Sequence, residues 1–265
     1  MRKFWAFLKR DFLQEASYRL SFVFQVYGIV FGAALFYFVA QLFPAQIPAL
    51  APYGTTYFPF VLVGLSFQGL MQSGMTSYAA SIRQGQMLGT LEAMLVTPTS
   101  LPTIVTASAL WAYLRASLNM ALYLAVGVAL GADFSHANIL GAATILVLSV
   151  VAFSALGILS AAFTLAYKRG DPVASIFGNA SALLGGTYFP VEVLPPWLRP
   201  VAELIPLRHA LEGMRGALLR GQGPLALWRE EAVLGLLALV LLPAAVWAFR
   251  LAVRKAKRDG SLAQY

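Results

Sequence analysis

Few side chains in this sequence are equipped for chemistry. There is no cysteine, which removes thiolate catalysis, thiolate metal sites and disulfides from consideration. His136 and His209 are the only histidines, and neither belongs to an HExxH pair or a spaced metal cluster, so no metal site is expected. Glu230 and Glu231 are adjacent acids, but adjacent residues on a helix point about 100° apart and do not converge as a catalytic pair. They suit the positive end of a helix dipole better. No Gly-Lys dipeptide occurs, so the chain has no Walker A phosphate loop and does not bind ATP by that route.

What remains are polar groups inside apolar surroundings. Arg115 in WAYLRASLNMALYLAVGVAL is an ionisable residue within a hydrophobic run. Such a charge is costly and suggests function by default. The residues that follow it put it in the inner part of a bilayer, where its side chain can snorkel to the surface. Asn179, Gln68 and Gln72 are suited either to lining a polar path or to hydrogen-bonding between helices.

The elements that must hold these groups are membrane helices. The chain has 265 residues, 59% hydrophobic and 11% charged, with mean hydropathy +0.72, outside the usual balance of a soluble domain. Charges are absent from 20–82, 93–114, 134–167 and 232–249, gaps long enough for helices of about 20 residues and unlike the short alternating strands of a β-barrel. The net charge of +8 does not point to nucleic acid, because all the lysines lie near segment ends.

The expected architecture is an all-α integral membrane protein with spans at 20–43, 57–80, 103–130, 139–166, 172–189 and 230–250. Residues 3–15 are expected to form an interfacial amphipathic helix, with Phe4, Phe7, Leu8 and Phe12 on one face. The apolar run from Leu20 to Phe43 is too long for a cleavable signal, so the N-terminus is expected to be retained. Six spans put both termini on one side. Thirteen Lys and Arg fall on that side and five Arg on the other, which makes the termini cytoplasmic.

Two connections are longer than turns. In the outer stretch 190–224, Pro195, Pro196, Pro200 and Pro206 predict short helical pieces. These pieces are expected to dip into the outer leaflet and return, with Leu207, Leu211, Met214 and Leu218 on one face and Arg208, Glu212 and Arg215 on the other. In the first span, Gly28 and Gly32 permit close helix approach. The inner stretch 81–100 contains SIRQGQMLGTLEAMLVTPTS, where Met87, Leu88, Leu91, Met94 and Leu95 recur at helical spacing and Pro98 ends the pattern. A short amphipathic helix on the cytoplasmic face serves either as a surface connector or as a knob that docks into a partner.

The combination of GTLEAMLVTP in the first cytoplasmic loop and GGTYFPVEVLPPWLRPVAELIPLRHALEGMR after the fifth span resembles the permease subunits of ABC type 2 exporters, along essentially the whole chain. Within that family the flavour is the drug, lipid-linked or Nod factor type. The resemblance implies one transmembrane domain over 1–265, with an interfacial helix (1–18), a coupling loop (81–100) and outer re-entrant helices (190–224). It further implies a dimer of permease halves, expected to be identical, in a cell inner membrane. Two copies of a separate ATPase subunit would carry ATP and Mg²⁺, with no cofactor on this chain. By the same resemblance, Gly85, Gln86, Gly89, Thr90, Leu91 and Glu92 take the ATPase-coupling role, and Gly185, Gly186, Phe189, Pro190, Leu194 and Pro195 shape an outer gate. The expected function is outward movement of an amphipathic or lipid-like cargo. The alternatives are an intramembrane lipid-modifying enzyme, which would need converging acids or metal ligands, and a channel or scaffold.

Overall fold

The computed structural model describes residues 5, 9–10, 12–13, 19–44, 47–87, 101–167 and 171–258. Eight helices of five residues or more are present among them: α1 (Arg19–Ala40), α2 (Tyr57–Met87), α3 (Leu101–Ala129), α4 (Ile139–Tyr167), α5 (Pro172–Leu184), α6 (Arg199–Glu203), α7 (Pro206–Leu219) and α8 (Trp228–Arg258). Short 3-10 turns at Pro48–Tyr53 and Val191–Val193 precede α2 and α6. Of the expected interfacial helix, residues 5, 9–10 and 12–13 are described and helical, and the Phe12 ring meets Trp111 edge-on at 5.8 Å.

Four helical stretches are long and apolar enough to cross a membrane: Phe22–Ala40, Ala109–Ala129, Ile139–Tyr167 and Trp228–Ala256. Two expected spans depart from that pattern for different reasons. The 57–80 segment lies within α2, whose 31 residues extend about 46 Å, ample for a bilayer. Its composition is less lipid-like because it is surrounded by protein. Phe60, Val63, Phe67, Leu70, Met71, Met75 and Ile82 are all buried, and α1, α3, α4, α5 and α7 pack around it. The 172–189 segment is helical only over Pro172–Leu184. Thirteen residues rise about 20 Å, short of a hydrocarbon core of about 30 Å, and the chain turns at Gly185 and Gly186.

Small residues set the spacing at the centre. A methyl group on Gly157 of α4 would stand 2.4 Å from the Gly74 carbonyl oxygen of α2 and 2.5 Å from the Tyr78 ring, so the two backbones approach closely there. The expected Gly28–Gly32 contact is only half realised. Gly32 faces the Tyr123 hydroxyl of α3, whereas Gly28 has no neighbour within 4 Å. A Gln25 Nε2 to Asn119 Oδ1 hydrogen bond of 2.7 Å adds a polar tie between α1 and α3.

The start of α5 is fixed by Asp171. Its carboxylate accepts from the Ala174 amide at 2.9 Å and from the Ser160 hydroxyl of α4, while Pro172 occupies the first helical turn. One residue thus caps α5 and ties it to α4. An Asp171→Ala variant is expected to lose about 1 kcal/mol of stability, read as a lowered thermal midpoint in detergent. Asp171→Asn, which keeps an acceptor for the amide, is expected to retain most of it.

Candidate functional site

The coupling residues fall at the edge of the described structure. Gly85 and Gln86 lie in the last turn of α2, whereas Gly89, Thr90, Leu91 and Glu92 lie outside the described residues. What α2 provides is a continuous helix leading from Tyr57 toward that loop.

At the other end, the proposed gate residues form one packed turn. Gly185 closes α5, its amide donating to the Ser181 carbonyl. Gly186 adopts φ +85°, a left-handed conformation that favours glycine. The chain then passes through buried Pro190 into the turn at Val191–Val193. Val191, Leu194 and Ala202 form a small apolar cluster there, against which Phe189 and Leu198 pack. Pro195 is exposed. Arg199 closes the turn by donating to the Glu192 and Leu194 carbonyls at 2.7 and 3.0 Å.

Three of the four polar residues expected within the membrane gather along one seam. Gln72 of α2 lies against α5, its Oε1 standing 2.5 Å from where a Gly178 side chain would begin, next to exposed Asn179. One turn earlier on α2, Gln68 Oε1 accepts from the Tyr188 hydroxyl at 3.4 Å, and Tyr188 stacks on Phe36 of α1 at 6.1 Å. Gln72 and Asn179 are both exposed on the outside of this chain. Arg115 is not part of the group. It is exposed on α3, which packs on α1 and α2.

Above the seam lies a charged cluster. The Tyr53 hydroxyl donates to Glu212 at 2.8 Å, and Arg220 pairs with the other Glu212 oxygen at 3.0 Å. Arg208 pairs with Glu203 at 2.6 Å, beside the His209 ring, which meets the Glu203 carbonyl at 2.9 Å. Burial, then the charge of Glu212, holds the Tyr53 phenol well above its usual pKa, so it stays a neutral donor.

At the centre is Arg215, 2% exposed. Its guanidinium carbon sits 3.4 Å from the centroid of the Phe60 ring. Nε and Nη2 donate to the Phe60 carbonyl at 3.3 and 3.0 Å, and Nη2 also reaches the Thr187 carbonyl at 3.3 Å. Burial lowers its pKa to about 10, partly opposed by Tyr53, Glu212 and Glu192, so it remains a cation at neutral pH.

The expectation that Arg215 shares the polar face of α7 with Arg208 and Glu212 is therefore corrected. Leu207, Leu211, Met214 and Leu218 are buried as expected, but Arg215 is buried with them. The signal is in the spacing. Position 215 lies eight residues after Leu207 and four after Leu211, within the apolar stripe. A shallow crevice lined by Tyr53, Gly185, Val191, Glu192, Arg208, Glu212 and Arg215 opens beside it. Among the described residues, no three His, Asp or Glu side chains gather as a metal site.

Comparison with known proteins gives a concordant result. The family described as "ABC-2 type transporter" matches residues 2–219. Similar proteins include Nodulation protein J of Neorhizobium galegae, 29% identical over 174 residues covering 63% of each chain. Nodulation protein J of Rhizobium leguminosarum bv. trifolii is 31% identical over 169 residues, again 63% of each chain. The Inner membrane transport permease YadH of Escherichia coli K12 is 23% identical over 168 residues, 62% of this chain and 63% of that one. The chain thus spans about 63% of the length of the curated relatives it matches.

Proposed function

The chain belongs to the ABC-2 type transporter family, and on that basis we propose that it is the permease subunit of an ATP-driven exporter. Two copies pair in a cell inner membrane, with termini inside. Each docks an ATP-binding-cassette ATPase through the loop containing Gly85, Gln86, Gly89, Thr90, Leu91 and Glu92. ATP and Mg²⁺ reside on that partner. The six-span arrangement, with α5 as a short fifth span, the pieces at 190–224 as re-entrant helices and the whole of 1–265 as one transmembrane domain, belongs to the same reading.

The observation that carries the proposal furthest is the Gln68–Gln72–Asn179 seam. Two of its three side chains are exposed on a chain whose other outward surfaces carry Phe22, Phe31 and Phe38 of α1, and Leu239 and Trp247 of α8. Polar groups facing hydrocarbon are costly, and pairing two chains across the seam gives them a shared polar path. An amphipathic cargo, such as a lipid or glycolipid, suits a path polar along α2 and α5 and rimmed by Phe36 and Tyr188. Relatives named for nodulation support the lipid-linked direction within the family.

The test is co-expression with the candidate ATPase subunit, purification through a tag on this chain, and reconstitution in proteoliposomes with fluorescent headgroup-labelled lipid. ATP-dependent transfer of label between leaflets, absent with a hydrolysis-deficient ATPase, is the expected result. Transfer that proceeds equally without nucleotide would favour a channel or scaffold instead.

A further inference from the structure

We propose that Arg215 is a positioning residue for transport: a latch that holds the turn after α5 against α2 and whose release from the Thr187 carbonyl opens the outer side. The inference rests on the permease reading above and assigns a role to residues that reading does not use.

The geometry divides the contacts of Arg215 into two unequal sets. Toward α2 it makes two hydrogen bonds to one carbonyl, and its guanidinium carbon sits over the Phe60 ring, 3.4 Å from the centroid. Toward the turn after α5 it makes a single bond, from the nitrogen already shared with Phe60, to Thr187 at 3.3 Å. The α2 side is therefore the anchored half and the Thr187 side the releasable one. A planar guanidinium can hold two carbonyls in this way, which a lysine ammonium does less well.

Gly64 completes the device. A methyl group there would stand 2.1 Å from the Thr187 carbonyl oxygen and 3.0 Å from Arg215 Nη2, so only a bare backbone lets Thr187 come within reach. The Thr187 hydroxyl is buried with no hydrogen-bond partner, which makes Thr187 itself inexpensive to detach: it gives up one shared backbone bond and no bond of its own side chain. The electrostatics also favour a latch over a fixed strut. Glu212, the nearby carboxylate, is engaged by Tyr53 and Arg220, so Arg215 relies on carbonyls and a ring rather than on an ion pair.

The absence of cysteine from the sequence makes the test direct. Thr187→Cys places a thiol at a position with 0% exposure, and its reaction with a membrane-impermeant maleimide reports opening. In the reconstituted complex at rest, adding Arg215→Met or Gly64→Ala is expected to raise the labelling rate at least tenfold, with Arg215→Lys intermediate. Combining Arg215→Met with Gly64→Ala should be no faster than either alone, since both act on one contact. A Ser149→Cys reporter, 0% exposed within α4, should stay unreactive in the same backgrounds.

Three outcomes would each overturn the latch: unchanged labelling of the thiol at position 187 in Arg215→Met and Gly64→Ala, additive effects of the two, or equal exposure of the reporter thiol at position 149. The last would mean that Arg215 merely holds the fold. The permease reading is judged separately. Its measure is ATP-dependent lipid transfer in the same proteoliposomes: no transfer means that reading fails, whereas transfer with unchanged labelling of the Thr187→Cys reporter means that the latch fails and the permease reading stands.

Discussion

Gly157→Leu is expected to prevent the protein from accumulating as a monodisperse species in detergent, and Gly157→Ala to lower its thermal midpoint measurably. The new Cβ would sit 2.4 Å from the Gly74 carbonyl oxygen and 2.5 Å from the Tyr78 ring. Neither neighbour can swing aside: the first is helix backbone, and Tyr78 is buried in the same core cluster as Tyr113, whose hydroxyl meets Ser154 on α4 at 3.2 Å. The helices α2 and α4 must part instead. Overpacking of this kind costs about 1–3 kcal/mol and sometimes more, and here it acts on a principal contact of α2. Gly28→Leu supplies the matched control. With nothing within 4 Å of Gly28, the same substitution should be neutral or slightly stabilising, because leucine is the better helix former by up to about 1 kcal/mol. Size-exclusion profiles and melting curves of the two proteins side by side decide the matter; equal behaviour would mean that α2 and α4 do not pack as described.

The second large effect is expected at Glu92. Charge reversal in Glu92→Lys should reduce co-purification of the ATPase subunit by at least tenfold, about 1.4 kcal/mol, and remove stimulation of ATP hydrolysis by cargo lipid. The reason is electrostatic. A carboxylate that accepts hydrogen bonds from a basic partner surface becomes, when replaced by lysine, a like-charge clash, which costs several kcal/mol at an interface. Glu92→Gln keeps the hydrogen-bonding capacity and should bind with an intermediate loss. Gly89→Leu should also weaken docking, by bulk rather than charge, and unlike Glu92→Lys its defect should not ease at high salt. Full binding by both Glu92→Lys and Gly89→Leu, measured by titrating the ATPase onto immobilised permease, would remove the coupling assignment.

Much of the architecture is legible in the sequence because lipid imposes simple rules. Charge-free gaps locate α1, α3, α4 and α8, and the prolines at 200 and 206 lie in the first turns of α6 and α7. Where pattern and structure part, the cause is burial by protein rather than by lipid. The polar residues of α2 lower its hydropathy, yet α1, α3, α4, α5 and α7 all pack around it. The 172–189 run continues the apolar pattern past the true end of α5, although the adjacent Gly185 and Gly186 mark the stop. The charge of Arg215 argues for the wet face, against its own periodicity. A shared carbonyl between Phe60 and Arg215, 155 positions apart, leaves no trace in local pattern at all. The polar seam is half legible: Gln68, Gln72 and Asn179 stand out individually, but their alignment depends on how α5 lies along α2.

The close contact between Gly74 and Gly157 has a mechanical consequence. From Gly74, α2 runs about 21 Å back to Phe60 and about 20 Å on to Met87. A stiff rod pivoted at that fulcrum has arms of nearly equal length, so a sideways push delivered at the Met87 tip returns at the Phe60 tip with almost the same amplitude and the opposite sense. Leverage here would reverse a displacement without amplifying it.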